Sequence, residues 1–370
     1  MILHIVSQHN WTKVFLSYFE ESFPRENIVV YLNNDGKIDL IHNGVTESYQ
    51  NANQVSKRLK SFNISIIVIQ LLTYPKKRFV VDYLSPDIPV IWWVFGGDLY
   101  NRYLYRSGYE LYAPQTKPFL RRESFSYTYK IKLFLFNLYS NYLDKKILKR
   151  VKGVIPCDIP DYNFVCSYMG RKVDLAFLTP YQDILSLPLC SGNDILVCHS
   201  ASLTNNHLYA LDLMKSWDIG DSKLYIPLSY NVQNEQYKNE VIKQFKTVFG
   251  DKSCCLLDFE DFECYIKRYL TYKVAIFATW RQEALGNIEI CFQLGVKVLL
   301  SNHNPYLNYF KGQGLKVYAM EDVKSSEDLA PLSIMDKEYN RRVFYKIILD
   351  REKESKTNLK NFFSRYVKID

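Results

Sequence analysis

The sequence predicts an α/β protein with two domains, each built on a parallel sheet that is covered by helices. The chain has 370 residues, which is longer than a single hydrophobic core usually organises. Its 48% of hydrophobic and 23% of charged residues are the balance of a folded globular protein. Short apolar runs alternate with polar segments of helical spacing in two successive series, which is the pattern of buried parallel strands connected by helices.

The first series runs from the N-terminus to about residue 178. Its strands are short apolar runs, and its helices carry apolar residues at helical spacing. We expect strands at residues 2–6, 28–32, 64–71, 89–95, near 154 and at 173–178, and helices at 11–20, 54–62 and after Pro160.

The second series begins at Asp194 and repeats the same alternation. We expect strands at residues 195–198, 223–227, 254–257, 274–278 and 296–301, and helices at 206–215, 233–249, 259–270 and 282–294. Between the two series, Pro, Ser, Leu and Gly replace the regular pattern from Thr179 to Gly192. The predicted domains are therefore residues 1–182 and 183–335, and the charged helices of 336–370 are expected to return to the first domain.

Composition excludes several classes of protein. The eight cysteines form no CxxC pair, so we interpret them as reduced thiols in a cytosolic protein, and no Cys/His cluster has the spacing of a zinc site. The start of the chain, MILHIVSQHN, lacks the features of a signal peptide. No apolar run approaches the roughly 18 residues that span a bilayer. The net charge of +8 suits nucleic acid, an anionic membrane or a phosphate-bearing substrate equally well.

The segment from Asn101 to Lys152 concentrates basic and aromatic residues with few acids. We interpret it as one or two long helices. Such a composition favours the headgroup region of an anionic membrane. It also suits RNA, but no known RNA-binding motif occurs, so no nucleic-acid partner is expected. The alternative is an amphipathic bundle that packs on the first domain.

A first candidate for a binding site is the segment Cys198–Leu211, which follows a predicted strand and opens a helix. Ser200 and Asn205 supply small polar side chains, and His207 lies in the first turn. The N-terminus of a helix binds phosphate through its free N–H groups and its positive dipole. The alternative is an ordinary capped helix start.

A second candidate is the segment that starts at Phe277. Arg281 follows a strand directly, where a guanidinium can pair with a diphosphate, and an arginine in that position needs an anionic partner. Gln282 and Glu283 come next, at the start of a helix. Glu283 suits sugar or ribose hydroxyl groups, although glutamate in a first turn is also favoured by the helix dipole.

A third candidate is IWWVFGGDLY, in which a buried strand runs into Gly96, Gly97 and Asp98. The two glycines allow close backbone approach or a positive φ. We expect them to expose the Asp98 carboxylate at the carboxyl edge of the sheet, where it would act as a general base on a sugar hydroxyl. The alternative is that Asp98 caps the next helix.

These segments together resemble the TDP-N-acetylfucosamine:lipid II N-acetylfucosaminyltransferase family, the 4-acetamido-4,6-dideoxygalactose transferases of enterobacterial common antigen synthesis. The resemblance covers most of residues 1–320 and is strongest in the second half. The family motif W-G-x-D-L-Y is similar to Phe95–Tyr100, G-N-S-x-x-x-x-N-x-H to Cys198–His207, V-P-x-x-Y to Ile226–Tyr230, F-x-x-R-Q-Q-x-x-G to Phe277–Gly286, and N-x-x-N-P-[FY] to Asn302–Tyr306.

The resemblance implies a GT-B glycosyltransferase, in which two Rossmann-like domains face an interdomain cleft. Such an enzyme would move a deoxy-amino sugar from a dTDP- or UDP-sugar to a polyprenyl-diphosphate-linked saccharide, as a peripheral protein on the cytoplasmic face of the inner membrane. It would need no cofactor and no metal. The catalytic residues would be Asp98 and Arg281; the donor-binding residues Ser200, Asn205, His207, Tyr230, Arg281, Gln282, Glu283, Gly286 and Asn287; and the acceptor-side residues Gly96, Gly97 and Tyr100.

Two other functions fit the same layout of domains. One is a sugar-nucleotide epimerase or hydrolase of the same fold, which would be a soluble protein acting on a free sugar nucleotide alone. The other is a non-catalytic module that binds glycans or nucleic acid, which would need no arginine at a strand end.

Overall fold

The computed structural model describes residues 1–7, 11–120, 127–178 and 183–367. The chain divides into two compact units. Unit 1 comprises Met1–Ser107, Ser124–Pro180 and Asp350–Asp370, and unit 2 comprises Gly108–Glu123 and Tyr181–Leu349. Residues 8–10 of the N-terminal motif, 121–126 of the basic segment and 179–182 of the predicted linker lie outside the described residues.

Unit 1 is built on an eight-stranded sheet with the order β4-β3-β2-β1-β5-β6-β7-β8. Its strands are β1 (Ile2–Ser7), β2 (Asn27–Leu32), β3 (Ile38–His42), β4 (Val45–Tyr49), β5 (Ile66–Gln70), β6 (Val90–Trp93), β7 (Val151–Ile155) and β8 (Asp174–Leu175). The neighbouring strands β2, β1, β5, β6, β7 and β8 pair in parallel. Every residue of β5 and β6 is buried, which explains why β6 is apolar throughout and β5 is apolar up to its last residue, Gln70.

The edge of this sheet carries a hairpin that the sequence interpretation missed. Strands β3 and β4 pair antiparallel with each other, and β3 pairs antiparallel with β2. The two residues of the turn, Asn43 and Gly44, have φ values of +48° and +77°. A tight hairpin turn requires positive φ at both central residues, and Asn-Gly is the pair that adopts it most readily.

The helices of unit 1 are α1 (Thr12–Ser22), α2 (Ala52–Leu59), α3 (Pro75–Tyr83), α4 (Gly96–Asp98), α5 (Tyr127–Arg150) and α6 (Ile159–Met169). A π-helical segment at Leu99–Leu104 directly follows α4. The core places Phe15 and Phe19 of α1 with Ile2, Val68 and Ile91 of the sheet.

Unit 2 is built on a six-stranded parallel sheet with the order β11-β10-β9-β12-β13-β14. Its strands are β9 (Asp194–Val197), β10 (Leu224–Pro227), β11 (Ser253–Leu256), β12 (Tyr272–Phe277), β13 (Lys297–Leu300) and β14 (Val317–Ala319). The helices that lie within it are α7 (His207–Met214), α8 (Glu235–Phe249), α9 (Phe262–Tyr269), α10 (Leu285–Leu294) and α11 (Tyr306–Gly312).

The segment Gly108–Glu123 belongs to unit 2, although the predicted boundary assigned it to the first domain. The physical reason is the side chain of Asn206. Its Oδ1 accepts hydrogen bonds from the Ala113 N–H at 2.9 Å and the Thr116 hydroxyl at 3.0 Å, and its Nδ2 donates to Leu111 O at 3.1 Å. Because these contacts join residues that are far apart in the sequence, local composition could not indicate that the segment belongs to unit 2.

The last helix, α12 (Ile334–Phe363), begins within unit 2. Its residues from Asp350 onwards are grouped with unit 1, where Leu359 and Phe363 are buried in the core. Within the ranges that the structure describes, every helix is too short or too polar to cross a bilayer.

Candidate functional site

Each sheet has a point at which the order of its strands reverses. In unit 2 this point lies between β9 and β12, because the chain continues from β9 to β10 and β11 on one side and from β12 to β13 and β14 on the other. Open α/β sheets bind ligands beyond the carboxyl ends of such strands. The loops after β9 and β12 contain five of the residues that the sequence singled out, so this edge of the sheet is the candidate site. They are Ser200, Asn205, Arg281, Gln282 and Glu283.

Four polar side chains converge where these two loops meet. Arg281 and Glu283 form an ion pair, with 3.0 Å between Nη2 and Oε2, and both side chains are about 8% exposed. The hydroxyl of Thr204 donates to the same carboxylate oxygen at 2.6 Å. His199 Nε2 lies 3.9 Å from the other oxygen, Oε1. Glu283 therefore lies between a guanidinium, a hydroxyl and an imidazole.

The Arg281 guanidinium is only partly used by these contacts. Its Nη1 donates to Gln282 O at 2.8 Å, while its buried Nε has no partner among the described residues. An arginine carries five N–H donors, so this side chain keeps the capacity to bind an additional anion. The anionic partner that the sequence required is present, and it is Glu283 of the same loop.

The backbone of both loops is constrained. Cys198 and Ala284 have φ values of +61° and +62°, in the left-handed region that non-glycine residues rarely occupy. Such residues persist only where their surroundings fix them, and they cluster at functional sites. Burial raises the pKa of the Cys198 thiol to about 12, so this cysteine stays protonated and is a poor nucleophile.

Ser200 and Asn205 organise the loop after β9. Asn205 Nδ2 donates to Ser200 Oγ at 2.9 Å, and Asn205 Oδ1 accepts from the His199 N–H at 3.3 Å. Both side chains are fully buried. Their polar atoms are therefore used inside the loop, and Asn205 holds the backbone of His199 in place.

The start of α7 differs from the expected phosphate site. Its N-cap is Asn206 with φ +50°, and the Asn206 side chain makes no capping hydrogen bond. The N–H of His207 donates to the Tyr237 hydroxyl at 2.9 Å, and His207 is fully buried. Burial lowers the pKa of His207 to about 3, so its ring is neutral. The first N–H group of α7 is therefore already bonded to Tyr237. That His207 belongs to the donor-binding residues stays a prediction.

A third loop, after β13, supports Arg281. Asn304 Nδ2 donates to Thr279 Oγ1 at 2.9 Å and to Arg281 O at 3.2 Å. The rings of Trp280 and His303 stack with 3.8 Å between their centroids. The motif at Asn302–Tyr306 thus fixes the backbone that presents the guanidinium.

The remaining predicted donor residues lie around this cluster. Tyr230 is 62% exposed, and its carbonyl accepts from the Ala201 N–H at 2.8 Å, which places it beside the loop after β9. Gln282 is half-buried and follows Arg281 directly. Gly286 is exposed in the first turn of α10, and Asn287 accepts a hydrogen bond from the Tyr265 hydroxyl at 2.8 Å.

Asp98 in unit 1 does not present its carboxylate to a ligand, which corrects the sequence-based expectation. The residue is 0% exposed. Oδ2 accepts from Trp92 Nε1 at 2.7 Å and from Leu72 N at 3.1 Å; Oδ1 accepts from Phe95 N at 2.8 Å and Leu99 N at 3.0 Å. Burial raises its pKa to about 6 against these four donors. The carboxylate ties β6 to the loops around it, as the capping alternative indicated.

The neighbours of Asp98 are also structural. The hydroxyl of Tyr100 donates to Asp161 Oδ1 at 2.8 Å, and its side chain is fully buried. Gly96 and Gly97 begin α4 without the positive φ that the sequence suggested, and Gly97 is exposed. Of the three residues expected on the acceptor side, Gly97 is the exposed one.

Sequence reasoning missed three polar residues at the two sheet edges. His199 and Thr204 complete the cluster around Glu283, and His199 directly follows a strand end, which was a usable signal. In unit 1, Lys77 is fully buried and donates to Gln70 O at 2.6 Å and Ser7 Oγ at 3.1 Å. Burial lowers the pKa of Lys77 to about 7. Ser7 and Gln70 end β1 and β5, between which the strand order of unit 1 reverses.

A family model places the second half of the chain among glycosyltransferases. Residues 180–338 match the model described as 4-alpha-L-fucosyltransferase, glycosyl transferase group 56. The matched region contains β9 to β14 and therefore the whole cluster around Arg281 and Glu283.

Solved structures that share this fold include a glycosyltransferase, a protein in complex with UDP-glucose and a trehalose-phosphate synthase. The chain is similar to a glycosyltransferase from Rickettsia africae (TM-score 0.54, 10% identity, 99% of this chain and 93% of that chain). It is similar to Anabaena HepE in complex with UDP-glucose (TM-score 0.55, 11% identity, 99% and 95%). It is also similar to an alpha,alpha-trehalose-phosphate synthase from Burkholderia vietnamiensis (TM-score 0.60, 7% identity, 99% and 99%). The fold is GT-B, and together with the family match it supports a glycosyltransferase.

Proposed function

We propose that this protein transfers a 6-deoxy sugar from a nucleoside-diphosphate donor, and that unit 2 binds the donor. The observation that carries the proposal is the buried cluster of Arg281, Glu283, Thr204 and His199 at the reversal point of the unit 2 sheet. The cluster lies within the region that matches the fucosyltransferase model. Anabaena HepE, which has the same fold, was solved with UDP-glucose, a donor of this chemical class.

In this proposal Arg281 stabilises the departing nucleoside diphosphate. Charge develops on the leaving phosphate as the glycosidic bond breaks, and a preorganised guanidinium stabilises that charge without reorganising. No step is assigned to a bound metal ion. Asn304 and the fixed backbone at Ala284 keep the guanidinium in place.

The sugar that we propose is a 6-deoxyhexose of galactose configuration. Fucose is such a sugar, and so is the 4-acetamido-4,6-dideoxygalactose of the family that the sequence resembles. We propose the acetamido sugar on dTDP or UDP as the donor, and a polyprenyl-diphosphate-linked saccharide of a surface polysaccharide as the acceptor. An epimerase or a hydrolase would instead change the sugar nucleotide when no acceptor is present.

The experiment that tests the donor site is a thermal-shift series with UDP, dTDP, GDP and the corresponding sugar nucleotides. A ligand that binds only the folded state raises the melting temperature with its concentration. We expect at least one of the nucleoside diphosphates to do so, and AMP, which lacks the diphosphate, to serve as the negative control. If none of them shifts the melting temperature at millimolar concentration, the proposed donor class is wrong.

We propose that helix α5 attaches the protein to an anionic membrane on the cytoplasmic face. The helix exposes a group of large apolar side chains: Ile131, Phe134, Leu135, Phe136, Leu138, Tyr139 and Tyr142. Lys132, Lys145 and Lys149 are exposed on the same helix, whereas its acid, Asp144, is buried. Apolar side chains that enter the acyl region and lysines at the level of the headgroups favour an interfacial helix.

The membrane proposal predicts co-sedimentation with vesicles that contain anionic lipid, and weaker binding at high salt because the lysine contribution is screened. The substitution Phe134→Ser should reduce this binding. The matched control is Phe259→Ser, because Phe259 is an exposed phenylalanine of unit 2, 82% accessible, outside α5. Equal absence of the wild-type protein from the pellets of anionic and of neutral vesicles would refute the proposal.

A further inference from the structure

In the structure, the Glu283 carboxylate is paired with the Arg281 guanidinium, the group that the proposed function assigns to the diphosphate of the donor. Arg281 Nη2 lies 3.0 Å from the Glu283 carboxylate and 3.5 Å from the Thr204 hydroxyl. Thr204 also holds the carboxylate, through a hydrogen bond of 2.6 Å. A diphosphate that binds Arg281 would therefore meet a buried carboxylate of the same sign of charge at the same nitrogen.

Two like charges in a buried site repel strongly, because the effective dielectric constant there is far below that of water. Either the carboxylate moves, or it is neutralised, or the diphosphate binds weakly. The buried Nε of Arg281, which has no partner among the described residues, shows that the guanidinium has an unused donor next to Glu283. This donor is the second indication, besides the ion pair, that an anion belongs here.

His199 is the group that can receive the carboxylate. Its Nε2 already lies 3.9 Å from Glu283 Oε1, and its buried Nδ1 is without a partner among the described residues. Burial lowers the pKa of His199 and Arg281 lowers it further, while Glu283 and a hydrogen bond with Asn205 act to raise it. The nearby His207 and Cys198 are neutral, since burial lowers the pKa of His207 and raises that of Cys198. When phosphate neutralises Arg281 and the Glu283 carboxylate moves closer to His199, both changes favour the protonated imidazolium form of His199.

We propose that Glu283 is the resting ligand of Arg281 and moves to His199 when a nucleoside diphosphate binds. The inference rests on the proposed function of unit 2. In the exchange the diphosphate replaces the carboxylate at Arg281. The one covalent change is a proton transfer: a ring nitrogen of His199 gains an N–H bond, and the buffer acid that gives up the proton becomes its conjugate base. The imidazolium then pairs with Glu283. The pocket thus gains a positive charge together with the anionic ligand. Glu283 and His199 are positioning residues, and they tune the affinity for the donor.

Removing the charge of Glu283 should strengthen nucleotide binding, although most substitutions in a binding site weaken it. Glu283→Gln keeps the shape of the side chain and removes the competing charge, so we expect UDP, or whichever of UDP, dTDP and GDP binds best, to bind at least fivefold more tightly than to wild type. Isothermal titration calorimetry measures this affinity. The control is Glu235→Gln, an exposed glutamate in the first turn of α8, which should leave the affinity unchanged.

Calorimetry in buffers of different ionisation enthalpy gives an independent readout on the wild-type protein. Binding should take up close to one proton, and the affinity should fall as pH rises, because His199 must become protonated. Proton uptake should be lost in His199→Gln and in Glu283→Gln. If Glu283→Gln does not fold, Thr204→Val provides the second variant. It removes the hydroxyl that anchors the carboxylate at Arg281, and tighter binding is again expected.

The outcomes separate the inference from the proposed function. If no nucleoside diphosphate binds the wild-type protein, the proposed donor site is wrong. If the wild type binds but Glu283→Gln binds equally or more weakly, Glu283 is inert or contacts the nucleotide directly, and the exchange is wrong while the donor site stands. Binding of the wild type without proton uptake likewise overturns the role of His199.

Discussion

The substitution Arg281→Ala is expected to weaken nucleoside-diphosphate binding at least tenfold. A hydrogen bond to a charged group contributes roughly 1.5–3 kcal/mol. A loss of about 1.4 kcal/mol corresponds to a factor of ten in affinity. Turnover should fall further than affinity, because the charge on the diphosphate grows as the sugar departs and the guanidinium is needed most at that point. Calorimetry with the nucleotide and a product assay measure the two effects.

The single substitution has a structural side effect that must be separated from binding. It would leave Glu283 buried without its ion partner, and breaking one side of a buried pair typically costs about 3–5 kcal/mol of stability. The double variant Arg281→Ala/Glu283→Gln removes both charges and should melt close to the wild type. Arg268→Ala is the matched control, because Arg268 is also paired with a glutamate, Glu260, but lies on α9. The affinity of the double variant is compared with that of Glu283→Gln alone, so that the charge of Glu283 is absent from both proteins. Equal affinity of these two folded variants would remove Arg281 from the donor site.

Most strands of both sheets were predictable because their physics is local, whereas β3, β4 and the short edge strand β14 were not predicted. Parallel strands covered on both faces must be apolar along their length, and Ile66–Gln70 and Val90–Trp93 were visible for that reason. The antiparallel hairpin was missed although Asn43-Gly44 signalled it. The assignment of residues 108–123 to unit 2 was not predictable, because it depends on contacts between Asn206 and a segment some ninety residues earlier in the chain.

The candidate site was predictable in position and only partly in detail. A strand end followed by Arg281 indicated an anion site, and the structure places that residue at the reversal point of the sheet. The contact between Thr204 and Glu283 joins two loops that are 79 residues apart, so no local spacing could indicate it. Exposure was the least predictable property: the segments around Ser200, His207 and Asp98 have the composition of binding loops, yet these side chains are buried.

The substitution Asp98→Asn is expected to destabilise unit 1 strongly. The carboxylate accepts hydrogen bonds from the N–H groups of Leu72, Phe95 and Leu99 and from the indole of Trp92. An asparagine offers one oxygen, so its amide nitrogen must face two of these donors. Each buried donor without an acceptor costs about 1–3 kcal/mol, which gives a loss of about 2–6 kcal/mol for the pair. The midpoint of urea unfolding, followed by tryptophan fluorescence, measures it.

The loss of stability in Asp98→Asn should depend on pH, and the pKa of Asp98 determines the direction. The pKa of Asp98 is raised to about 6 in the folded protein, against roughly 3.9 in an unfolded chain. A carboxyl group with a raised folded-state pKa contributes stability that is present below about pH 4 and is lost as pH rises through about 6. The amide introduced by Asp98→Asn does not titrate, so the variant lacks this pH-dependent stabilisation. The difference in the free energy of unfolding between wild type and variant should therefore be larger at pH 4.5 than at pH 7.

The control for this comparison is Asp87→Asn, which changes an exposed aspartate in the turn before β6 and should leave the free energy of unfolding within about 0.5 kcal/mol of wild type. A role of Asp98 as a helix cap alone would also predict little change, because asparagine caps about as well as aspartate. The contrary result would be an Asp98→Asn protein that unfolds like the wild type but has lost turnover. That result would mean that the carboxylate is reached by the acceptor after all, and that the four N–H groups are released when the substrate binds.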